Sequence, residues 1–122
     1  MYPALYDPAP RLVVDGREVC PLERASTRRA RGRGLLGREG VDGAVWLPRV
    51  RSVHTVGMRF PIDVAWLDHD GRVRRIDTLR PGRVTRWVAA AAGMLEAEAG
   101  AFARWGLRPG SRVEGLRAPG AV

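Results

Sequence analysis

The run IDVAWL, Ile62 to Leu67, is apolar on both alternating positions once Asp63 is passed. A strand with one buried face alternates apolar and polar side chains, so this run belongs to a strand covered on both sides, as in a closed barrel. Around it, turn signals cut the chain into short pieces. Asp15-Gly16 joins a strand at Arg11 to Val14 to one at Glu18 to Cys20, the pairing expected of a hairpin. GAVWL, Gly43 to Leu47, reads as a strand that Pro48 interrupts, and Val53 to Met58 reads as another. Asp68-His69-Asp70-Gly71 turns the chain back into Arg72 to Leu79, which Arg80-Pro81-Gly82 closes with proline second and glycine third in the turn.

The C-terminal part alternates again at Met94 to Ala99, and after Gly100 the segment AFARW makes a short helix with Phe102 and Trp105 on one face. Gly106 supplies its left-handed stop, Leu107 packs back on it, and Arg108-Pro109-Gly110 leads to a last strand at Arg112 to Leu116. A second helix is expected after Ser26 or Thr27, with Leu35 and Leu36 toward the core. Gly32 and Gly34 each weaken it by roughly 1 kcal/mol. The expectation is a mostly β chain of α+β class: a compact, barrel-like antiparallel or mixed sheet with two short helices. Residues 11–116 form the single domain, 1–10 a loose N-terminal arm and 117–122 a loose tail.

Charge narrows the function classes. The net charge is +8, and all 21 basic residues are arginine. That excess invites a polyanion partner. The densest cluster, Arg24 to Arg38, has no aromatic residue for base stacking and follows no helix-turn-helix, RNA-recognition or zinc-finger pattern, which makes it a solvated basic face. No apolar stretch reaches the roughly 20 residues of a membrane span. With no basic and apolar leader at the N-terminus, the protein is expected to be cytoplasmic, off the membrane and monomeric. The single cysteine, Cys20, permits no internal disulfide and reads as a small filler beside Pro21.

The candidate site is SVHTVGMRFPID, Ser52 to Asp63. A carboxylate entering a strand buried on both faces is costly unless it accepts hydrogen bonds or meets a cation. Asp63 therefore either pins the Val56-Gly57-Met58 loop or pairs with Arg59, or else orients His54 as a general base beside the Thr55 hydroxyl. The candidate catalytic residues are His54 and Asp63. None of the available nucleophiles, Ser26, Ser52, Thr55, Thr85 and Cys20, sits in an activating motif. A metal would need His54, Asp63 and Asp77 to meet without any ligand spacing, so no metal and no cofactor is expected. His69 lies in a solvated turn. Gly57 serves a positive φ, Met58 fills the barrel end, and Trp46 and Trp66 read as core, while Trp87 and Trp105 read as core or rim. With Trp46 beside it, the group His54, Thr55, Gly57, Met58 and Asp63 would form a small pocket, and Arg24 to Arg38 would bring charge to an anionic or polar ligand or a peptide.

Four motifs in fixed order, ASTRRARGRGLLGR, HTVGMRFPIDVAWLDHDGRV, LRPG and MLEAEAGAFARWGLRPGSRVE, resemble the small prokaryotic family known as domain of unknown function 192, from about Leu12 to Gly115. The resemblance implies one compact β-rich domain, cytoplasmic or exported, with no established activity. The residues leave three readings: a ligand-binding module, a hydrolase- or transferase-type enzyme with His54 as base oriented by Asp63, or a basic accessory protein on nucleic acid or another polyanion.

Overall fold

The computed structural model describes residues 11–25, 31 and 34–116. Seven strands, β1 (Arg11–Val14), β2 (Arg17–Arg24), β3 (Ala44–Pro48), β4 (Ile62–Leu67), β5 (Val73–Leu79), β6 (Gly93–Glu98) and β7 (Val113–Glu114), form one sheet in the order β5-β4-β6-β3-β2-β1-β7. The pair β2 and β3 is parallel and the others are antiparallel. The sheet curls into a half-barrel until its two edges touch. At that end Arg72 bridges Arg112, the Val73 N–H donates to the Ser111 carbonyl at 2.9 Å, and the Val113 N–H donates to Gly71 at 2.8 Å.

The curl divides the core in two. Leu12, Leu22, Trp46, Ala65, Leu67, Leu95 and Phe102 pack on the enclosed face, to which strands from across the sheet contribute. The outer face of β3, β4 and β6 carries Val45, Leu47, Ile62, Val64, Trp66 and Met94, covered by Leu35, Met58, Phe60 and Ala91 from the connecting segments. Both parities of β4 are thus buried, as its apolar run requires.

The helix α1 (Ala101–Trp105) starts after Gly100, at φ 93°, and stops at Gly106, at φ 68°, with the Leu107 N–H on the Phe102 carbonyl at 2.9 Å. The helix expected after Ser26 falls mainly on residues outside those described, as do the arm and the tail; Leu35 and Leu36 lie in a turn spanning 34–37. Val53 to Met58, expected as a strand, makes only the isolated bridge from His54 to Val84. Its backbone is used otherwise. Thr55 donates its N–H to Arg83 and accepts from Met58 and Gly82, while the Thr85 and Val88 N–H groups reach Val53 and Arg51, so the chain from 51 to 55 is laced to 82–88.

Asp63 anchors a different corner from the one expected. Its Oδ1 accepts from the Thr78 hydroxyl at 2.7 Å, and its Oδ2 accepts the Gly100 and Phe102 N–H groups at 2.9 and 3.3 Å. Gly100 has no side chain with which to cap α1, so a carboxylate from β4 takes up those end donors. The Val56-Gly57-Met58 loop is not its partner, and Arg59 pairs with Glu39 at 3.3 Å. Asp63→Asn removes the charge that the Gly100 and Phe102 N–H groups meet and turns one accepting oxygen into a donor, which forces the bond with the Thr78 hydroxyl to reverse. We expect it to cost about 1 to 3 kcal/mol in urea unfolding; an unchanged midpoint would remove Asp63 from the anchoring role.

Candidate functional site

Alternation along β6 sends Leu95 and Ala97 to the enclosed face and Met94 and Glu96 to the outer one. Glu96 sits in the middle of that face, with Val45 of β3 and Val64 of β4 directly in register on either side. It is 2% exposed. Burial pushes its carboxyl up to about 7, opposed in part by a hydrogen bond from the Leu35 backbone and by the charge of Arg38. Among the described residues, its Oε1 has no hydrogen-bond partner. A buried acid oxygen without a donor costs free energy that the fold must supply elsewhere. Gly34, at φ 50°, passes so close that a Cβ there would come within 2.6 Å of that oxygen.

Above Glu96 a cavity of about 330 Å³ opens between the outer face and the segments 34–36 and 49–54. Leu35, Leu47, Met58 and Met94 form its apolar wall, and Arg49, Arg51, His54 and Trp87 stand at its mouth. Arg49 holds φ 63°, which is rare outside glycine and marks a locally strained backbone. Arg51 is fixed by its Nε donating to the Ala91 carbonyl at 3.1 Å, with its guanidinium 6.0 Å from the Trp87 ring centre. Among the described residues neither arginine has a carboxylate partner. Their charge is therefore free for something that enters. The size falls at the lower end of ligand pockets, about 300 to 1,000 Å³.

The six residues expected to build one pocket separate. His54 and Met58 line this cavity. Thr55 is fully buried beneath its rim, with its hydroxyl donating to the Arg80 carbonyl at 2.6 Å and accepting the Arg83 N–H at 2.8 Å. Gly57, at φ 85°, turns the loop against Leu36. Trp46 and Asp63 belong to the enclosed face or its edge, with Asp63 spent on Thr78 and α1, so the structure does not join His54 to Asp63 as a base and its orienter. Asp77 is on the outer face, taking Trp66 Nε1 at 3.3 Å and Arg75 Nε at 2.9 Å. Among the described residues no three His, Cys, Asp or Glu side chains are grouped to hold a metal ion. Cys20 is buried, and burial pushes its thiol up to about 11, away from nucleophilic use.

A second cavity, about 460 Å³, lies at Trp46, Asp68, His69, Asp70 and Leu116. Of its three acids, Asp70 and Glu114 are exposed, and Asp68 Oδ1 accepts the Asp70 and Arg72 N–H groups of its own turn. Among the described residues, the Glu96 cavity alone of the two sets an unsatisfied buried group at its floor.

Sheet and cavity together define a curled β half-barrel with a pocket on its outer face. The chain belongs to the DUF192 family, described as "Uncharacterized ACR", whose pattern covers residues 11–115. No curated protein matches it. Among solved structures it is similar to a protein of unknown function from Novosphingobium aromaticivorans DSM 12444, at 23% identity and TM-score 0.71, over 85% of this chain and 83% of that one. It is also similar to a "putative transcription regulator" from Sinorhizobium meliloti 1021, at 28% identity and TM-score 0.70, over 86% and 90%. Both likenesses carry the fold. No described helix is long and apolar enough to cross a membrane.

Glu96 makes stability depend on pH with a definite sign. The fold keeps its proton up to about 7, whereas the unfolded chain releases it near 4.5. Between those values the native state binds more protons, so stability falls as pH rises from 4.5 to 7 and stays lowered above, by about 3 kcal/mol. Glu96→Gln is expected to flatten that fall. Urea unfolding of both proteins at pH 5 and pH 8 measures it, and equal pH dependence in the two would place the titration elsewhere.

Proposed function

We propose that this protein is a binding module whose outer-face pocket receives a small polar ligand bearing an anionic group. The observation that carries the reading is Glu96: a carboxyl with one unpartnered oxygen, buried among valines, at the floor of a cavity whose mouth carries Arg49 and Arg51, neither of them paired with a carboxylate among the described residues. Groups placed for binding are commonly neutral or costly for stability, and perturbed acids in clefts mark functional sites. The arginines favour carboxylate or phosphate, which a planar guanidinium meets with two hydrogen bonds.

His54 serves as a rim contact in this reading, and Met58 as wall. We place the protein in the cytoplasm, where a lone buried cysteine such as Cys20 is ordinary. The binding reading is preferred to catalysis because, among the described residues, Asp63 is bonded to Thr78, Gly100 and Phe102 instead of His54, and no nucleophile in an activating arrangement lines the cavity.

Trp87 stands 66% exposed at the mouth and reports occupancy. We expect its fluorescence to change with one or more members of a panel of small carboxylates and organic phosphates. The double variant Arg49→Ala, Arg51→Ala should weaken that binding about tenfold or more. A panel that leaves both fluorescence and melting temperature unmoved, or binding that persists in the double variant, would contradict the reading.

A further inference from the structure

The two ends of the cavity ask for opposite chemistry. At the floor, Glu96 holds an acceptor oxygen that has no donor among the described residues, and the Gly34 backbone passes close beside it. At the mouth, Arg49 and Arg51 offer donors and positive charge with no carboxylate to meet them. Between floor and mouth the wall is apolar: Leu35, Leu47, Met58 and Met94. A purely anionic ligand answers the mouth and leaves the floor unsatisfied. A purely cationic one answers the floor and meets repulsion at the mouth.

From this polarity we propose that the ligand is amphoteric, with an ammonium or similar N–H donor on Glu96 Oε1, a carboxylate or phosphate at Arg49 and Arg51, and a short apolar skeleton between. The inference rests on the pocket reading above and names the class of its ligand. An ammonium at the floor would give the orphaned oxygen a charged donor, and the apolar wall, which neither forms hydrogen bonds nor admits water readily, would strengthen that attraction. The skeleton would contact Met58 and Met94, whose flexible thioethers adapt to its length. The exposed Arg49 and the half-buried Arg51 fix the outer end by charge, so the two ends are recognised independently, and a ligand lacking either end forfeits one of them. The chemical class is that of ω-amino acids, short peptides and phosphorylated amines, in which the two charges stand apart.

The test uses three probes on the full chain: 5-aminopentanoate, pentanoate and pentylamine, followed by the amide signals of Leu35 and Met94 in nitrogen-edited NMR spectra. The expected result is that 5-aminopentanoate binds about tenfold or more tighter than either half-molecule. Glu96→Gln should abolish that advantage while leaving pentanoate binding in place. Glu96→Leu provides a second floor variant, with the dispersion of each spectrum reporting that the fold survives. Pentanoate binding as tightly as the zwitterion in the parent would overturn the amphoteric ligand and leave the arginine-rimmed pocket standing. Pentylamine binding as tightly as the zwitterion would overturn the anionic end. An advantage that persists in both Glu96 variants would overturn the role of the floor. If none of the three probes moves the Leu35 or Met94 signals, the amphoteric ligand is overturned; if the carboxylate and phosphate panel is also silent, the pocket reading falls with it.

Discussion

Two neighbouring strands at the centre of the sheet, β4 and β6, are buried on both faces up to the exposed Glu98 that ends β6, and a polar side chain buried on them is costly unless it finds a partner inside the protein. β4 carries Asp63 and β6 carries Glu96. They resolve the same constraint in opposite ways. Asp63 accepts three donors and ties β4, β5 and the start of α1 into one corner. Glu96 receives a bond from Leu35 and keeps one oxygen open at the floor of a cavity. Satisfaction marks the first as architecture, and its lack in the second is the observation on which the proposed pocket rests.

The placement of the arginines follows the same logic. Several are held in surface or backbone contacts, as Arg38 is by Glu23, Arg59 by Glu39 and Arg24 by the Gly115 and Leu116 carbonyls. Arg49 and Arg51 differ in position. They follow β3 directly, at the point where the chain leaves the sheet, with Arg49 in a strained backbone and Arg51 braced by Ala91 and Trp87. Strain and bracing at a cavity mouth present guanidinium groups in a fixed direction, which reduces the ordering cost of binding an anion.

Much of the sheet was legible in the sequence because its signals are local. IDVAWL, the Arg80-Pro81-Gly82 turn and AFARW followed by Gly106 each fixed an element within a residue or so, and the Asp15-Gly16 turn fixed β1 and the start of β2, which runs on to Arg24, four residues past the Cys20 expected as its end. Val53 to Met58 misled, because its apolar residues serve a loop laced to 82–88 rather than a strand. The site was only partly legible. His54 and Met58 were found from composition near a suspicious acid, yet the acid itself, Asp63, faces away from them. Glu96 was missed for a physical reason: in MLEAEA an acid alternating with small apolar residues is indistinguishable from the solvent face of an edge strand. Only strand order, which puts β6 between β4 and β3 with loops folded over it, reveals that this face is buried. The shared parity of Met94 with Glu96 was the one available hint.

The most direct measurement is a site-resolved titration of the Glu96 carboxyl carbon by NMR. An acid buried among Val45, Val64 and Met94 with one oxygen unmet should titrate at about 7 in the empty protein. A midpoint in the ordinary carboxylate range, near 4.5, would mean that Glu96 is solvated or fully satisfied, and the pocket would lose the group on which the account rests.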